Sequence, residues 1–150
     1  MNDDIPELLP PEEQPPVRTQ QDLFEYWQSL MGPLGFSQPL LWLCFISSDD
    51  VVAPVISQIE DLPRFPDREL LTNLMWIVKN GALDHAEGSS VAILLSRPGR
   101  SDLTDSDRAW ARGLASAAAA SGVHMRLLHL ATDESIRVLA VDDLLGPDAA

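Results

Sequence analysis

The sequence predicts a single α/β domain, an α+β mixed sheet flanked by helices, with elements in the order α-β-β-α-β-α-β-β. Three observations lead there. Apolar runs of strand length, such as LLWLCFI and VAILL, alternate with stretches whose apolar residues recur at helical spacing. Residues 91–121 read as an apolar strand, a Pro-Gly loop and an Ala-rich helix with a capped start. The chain has 150 residues, 45% of them apolar and 22% charged, and a domain of that size buries about two-thirds of its unfolded-chain surface, enough for one core. Such an alternation implies helices packed on a sheet, with right-handed strand–helix–strand crossovers.

The elements follow in order. Residues 1–18 hold five prolines and five carboxylates, too little apolar surface to offset the entropy of ordering, so a disordered acidic Pro-rich tail is expected. Its Ile5, Leu8 and Leu9 would suit a short partner-binding segment. A single domain is expected over 19–145 and a flexible C-terminus over 146–150. Thr19 and Asp22 have capping-box spacing and open a helix to Met31, which Gly32-Pro33 ends. Leu40–Ser47 and Val51–Ile59 form a hairpin, with Pro54 placing the second strand at an edge or a bulge. Asp67 caps a helix to about Asn80, with Gly81 as its stop. Ser89–Leu95 is a near-continuous apolar run, as a central strand covered on both faces would be. A helix over 105–121, ended by Gly122, precedes strands at Met125–Leu130 and Ile136–Val141.

Charge and cysteine content narrow the function. Ten basic residues stand against 23 acidic ones, a net charge of −13. Such a surface repels phosphate backbones, so no nucleic-acid partner is expected. Cys44, the lone cysteine, lies inside LLWLCFI, where a buried structural thiol is expected. No apolar run reaches the roughly 18 residues of a membrane span. The acidic, Pro-rich start is the opposite of a secretory signal, which points to the cytoplasm.

The strand–loop–helix unit at 91–121 carries the candidate chemistry. It contains Leu95-Ser96-Arg97-Pro98-Gly99, then Thr104-Asp105-Ser106-Asp107. In frame and element order, residues 40–141 resemble the JAB/MPN hydrolase domain of the RadC-like type. That family carries its zinc ligands as His-x-His-Pro-Ser-Gly followed by Ser-x-x-Asp, with a glutamate from an early strand as general base. Aligned on Pro98, the histidine positions fall on Leu95 and Arg97, and only Asp107 remains as a ligand. A catalytic zinc needs about three protein ligands and an open water position, so the resemblance implies a fold without the metal: no enzyme, no metal, no cofactor, and a non-catalytic module for a protein partner.

The residues have further readings. Thr104 and Asp107 have the spacing of a capping box as well as of a ligand pair. Arg97 and Arg100 flank Pro98-Gly99 before a helix N-terminus, which suits an anion; alternatively they pair with Asp102, Asp105 or other local carboxylates. A small-anion sensor would use these arginines. A divergent metal-dependent hydrolase would use Asp107 with His129 and a further carboxylate. His85 falls in a polar loop. His124 and His129, five apart on one expected strand, point to opposite faces. Ser96, His129 and an aspartate could compose a triad, but no nucleophile-elbow sequence accompanies them. Gly99 alone makes no phosphate loop.

Overall fold

The computed structural model describes residues 15–82 and 88–139. In chain order these are α1 (Gln20–Met31), β1 (Leu40–Ile46), β2 (Val52–Ile59), α2 (Arg68–Ile77), β3 (Ser90–Ser96), α3 (Asp105–Ser121), β4 (His129–Ala131) and β5 (Ile136–Val138); a π-helical turn, Val78–Ala82, extends α2. The five strands form one mixed sheet in the order β2-β1-β3-β4-β5. Antiparallel pairing joins β2, β1 and β3, β4 runs parallel to β3, and β4 and β5 form a second hairpin. Every residue of β3 is buried, as expected of a central strand with helices over both faces.

Alternation along the strands sorts two cores. Leu41, Leu43 and Phe45 of β1 and Val91, Ile93 and Leu95 of β3 face α2 and α3, meeting Leu71, Leu74, Met75, Trp110 and Leu114. The intervening Cys44, Ile46, Ala92 and Leu94 face α1, meeting Leu23, Tyr26 and Trp27. Gly113 of α3 packs close against α2: a Cβ there would lie 2.7 Å from Leu71 Cδ1. Among the described residues no helix is long and apolar enough to cross a membrane.

The expected caps form. Thr19 and Asp22 exchange side-chain and backbone hydrogen bonds, Thr104 and Asp107 do the same, and Asp67 accepts from the Leu70 N–H. Gly122 ends α3 in the left-handed conformation, φ +72°. The strand carrying Pro54 lies at the sheet edge, and its register against β1 shifts between Cys44 and Ile46.

Three expectations are corrected. The strand expected at Met125–Leu130 is a single parallel bridge, Val91 to Met125, followed by irregular chain until β4 starts at His129. Within this stretch the Arg126 N–H donates to the Val91 carbonyl, and its guanidinium reaches Ser90 Oγ (2.9 Å), the Val17 carbonyl (3.1 Å) and Asp50 Oδ1 (3.1 Å), so it is tied to the N-terminal segment and the turn after β1 as well as to β3. Gly81 does not stop the second helix at Asn80, because the chain runs past it in the π turn. The expected tail lies mostly outside the described residues, but its end does not: Val17 is 2% exposed and its N–H donates to the Asp50 carbonyl at 2.7 Å.

Candidate functional site

The site forms where β3 hands over to α3. The exit loop is tied down before any side chain is placed. Arg97 N–H donates to the Ala131 carbonyl (3.0 Å), and Asp133 N–H donates to the Gly99 carbonyl (3.2 Å). Asp133 accepts from the Gly99 N–H (2.8 Å) and the Phe36 N–H (2.9 Å), and Glu134 from the Ser101 N–H (2.7 Å). The Gly99 N–H, then that of Phe36, holds the Asp133 carboxyl below its ordinary pKa; the Ser101 N–H does so for Glu134. Gly99 sits at φ +102°, a conformation that side chains rarely tolerate.

On this loop Arg97 turns back onto α3. Its Nε donates to Asp107 Oδ1 at 2.9 Å and its Nη2 to Oδ2 at 2.8 Å, a bidentate ion pair. The same guanidinium donates to the Asp102 and Pro98 carbonyls, at 3.0 and 3.1 Å. Asp107 is 4% exposed, and its Oδ2 also accepts from the Thr104 N–H at 3.0 Å. One carboxylate thus completes a helix cap and neutralises a cation.

Beside the pair lies a cleft of about 300 Å³. Leu62, Pro63, Leu95 and Trp110 make its apolar wall, and Arg64, Arg97, Ser106 and Asp107 its polar side. The segment carrying Leu62 to Arg64 is anchored on α3: Trp110 Nε1 donates to the Pro63 carbonyl at 3.1 Å, and Ser106 Oγ donates to the Arg64 carbonyl.

Of the residues singled out in the sequence, Arg97 and Asp107 meet at the cleft and Thr104 joins them through the cap. Leu95 lies in the wall. Arg100 is exposed and does not line the cleft; its charge acts on Glu134. Arg97 does pair locally, but with Asp107, taking only the backbone carbonyl of Asp102, while Asp105 faces Arg108 at 3.6 Å. An open anion site shared by Arg97 and Arg100 is therefore not formed.

The histidines lie elsewhere. His129 is fully buried on the α1 side of the sheet, its ring 6.3 Å from Phe24. Burial pushes its pKa down to about 4, partly opposed by the Leu127 backbone, yet neither ring nitrogen completes a hydrogen bond. Asp107 is on α3, across the sheet, so the Asp107–His129 combination is not assembled. Ser96 Oγ accepts from Trp42 Nε1 at 2.9 Å and makes no bond to His129, so the triad is not formed either. His124 is exposed and precedes the bridge at Met125, so it shares no strand with His129. His85 lies outside the described residues. Among the described residues no group of three or more His, Cys, Asp or Glu is placed to hold a metal ion.

Comparison with protein-family models, with curated proteins and with solved structures finds no match to this chain. The JAB/MPN resemblance therefore rests on the motif residues and the element order alone.

Two contributions escaped the sequence reading. Arg64 looked like one residue of a Pro-rich loop, and no local pattern marks it; α2–α3 packing brings its loop over the start of α3. Trp110 was legible as a core residue but not as a wall shared with Leu95.

Proposed function

We propose that this chain is a non-catalytic, JAB/MPN-like binding module acting through a protein partner. The observation that carries the reading is the Arg97–Asp107 pair. In the resembled family the metal would be held at the positions of Leu95, Arg97 and Asp107. Here leucine offers no lone pair, and the guanidinium is a permanent cation already bound to the carboxylate that a metal would need. Among the described residues the cleft offers no free base for a hydrolytic step: Asp107 is engaged by Arg97, Ser106 donates to a backbone carbonyl, and His129 lies on the other sheet face. The net charge of −13 favours a protein partner over nucleic acid. Elemental analysis of protein purified without added metal tests the reading. It should find no stoichiometric zinc. One zinc per chain, lost in Asp107→Ala, would overturn the non-catalytic assignment.

A further inference from the structure

The charges around the cleft do not cancel. Arg97 and Asp107 neutralise each other across 2.8 Å, which leaves Arg64. Among the described residues its guanidinium forms no ion pair; it lies over the neighbouring Phe65 ring, 5.2 Å from the centroid, and is exposed. Its backbone is held by Ser106 and the preceding carbonyl by Trp110, so the segment bearing this cation is fixed to the wall of the cleft. The cleft thus has one uncompensated positive charge in a chain of net charge −13. It pairs that charge with an apolar wall of Leu62, Pro63, Leu95 and Trp110.

We propose that this cleft binds a small amphipathic monoanion. Its apolar ring or chain would lie against Leu95 and Trp110, and its carboxylate would meet Arg64. Size argues for a small molecule: about 300 Å³ is the lower end of ligand pockets, roughly 300–1,000 Å³. Charge argues for a single negative group, because Arg97 is spent on Asp107 and a second anionic group would meet that buried carboxylate. The anion-selecting residue is Arg64, not the Arg97–Arg100 pair that the sequence suggested. This inference rests on the non-catalytic reading of the same cleft, since the ligand is held beside a carboxylate engaged by Arg97 and not beside a metal.

The test uses the full chain with indole-3-acetate and 4-phenylbutyrate as probes, each paired with its neutral amide. Binding is followed through the ¹H–¹⁵N indole resonance of Trp110, assigned by Trp110→Phe. The acids should shift that resonance saturably, and each amide should bind about tenfold more weakly, as expected for loss of a charge-assisted contact. Arg64→Ala should abolish the preference for acid over amide, Arg64→Lys should retain most of it, and neither should change the melting temperature by more than about a degree, because the guanidinium is exposed and in no ion pair among the described residues. Absence of saturable binding by both acids up to millimolar concentration, equal binding of acid and amide, or an undiminished preference in Arg64→Ala would each overturn the proposal. Zinc analysis of the same sample separates the two readings. Zinc-free protein that ignores the acids sinks the ligand alone, whereas stoichiometric zinc sinks the functional reading and this one with it.

Discussion

Asp107 shows how much one side chain carries. Its carboxylate accepts from the Thr104 N–H and takes a bidentate guanidinium while 4% exposed. A buried ion pair adds little net stability against an apolar replacement, but removing one partner strands the other charge at a cost of about 3–5 kcal/mol. Arg97→Met should therefore lose about 3 kcal/mol, the low end of that range because the Arg97 side chain is 17% exposed. Arg97→Met combined with Asp107→Asn should lose less than Arg97→Met alone, because asparagine keeps a cap acceptor without the charge. Urea denaturation of the two variants checks this; a double variant less stable than the single one would mean that the charge itself is not the problem. The capping box was legible because Thr-x-x-Asp is a local pattern. The arginine partner was not, because it is ten residues away and joins Asp107 only when β3 and α3 pack.

At the scale of elements, residues 15–18, which form no helix or strand, are stitched by backbone groups to the turn between β1 and β2 and to Arg126. Val17 donates to Asp50, accepts from Arg126 and is 2% exposed beside Cys44 and Ile46. Val17→Ala should cost about 1.5 kcal/mol, two methylene equivalents at about 0.8 kcal/mol each. Thermal or chemical unfolding measures it, and an unchanged midpoint would show that the segment does not dock. Composition could not reveal this anchor, since the residues around Val17 are prolines and charges and its partners are 33 and 109 residues away in sequence. The run Met125–Leu130, apolar enough to suggest a strand, is irregular between Met125 and His129, and its Arg126 is drawn into the same clasp.

For the whole molecule, burial on one face of the sheet sets a response to pH. The α1 face buries Cys44, whose thiol burial pushes up to about 12, and His129, held near 4. A histidine whose folded pKa lies below its unfolded value, about 6.5, is neutral in the native state, while the unfolded chain gains a proton. Stability must then fall as pH drops from about 6.5 towards 4, at up to about 1.4 kcal/mol per pH unit. Asp22, Asp133 and Glu134, held low by backbone N–H groups, also lose their contribution on acidification, but below their ordinary carboxylate range. His129→Leu should flatten the stability profile between pH 6.5 and 4.5 while keeping the decline below it. Denaturation midpoints across that range decide the matter, and parallel profiles for the two proteins would show that His129 does not titrate with unfolding.

What the sequence determined by itself is what short-range physics encodes. Periodicity placed three helices and the apolar strands, Thr19, Asp67 and Thr104 announced the helix starts, and Gly122 announced an end, because caps and periods are set within a few residues. Near-continuous apolarity marked Ser89–Leu95 as central before its neighbours were known. Tertiary structure alone decided strand order, the clasp at Val17, and which charges meet: Arg97 with Asp107, and Arg64 with none among the described residues. A guanidinium spans several ångströms and chooses its carboxylate after the elements have packed. Sequence spacing therefore identified candidate charges, and only the packed sheet and helices assigned their partners.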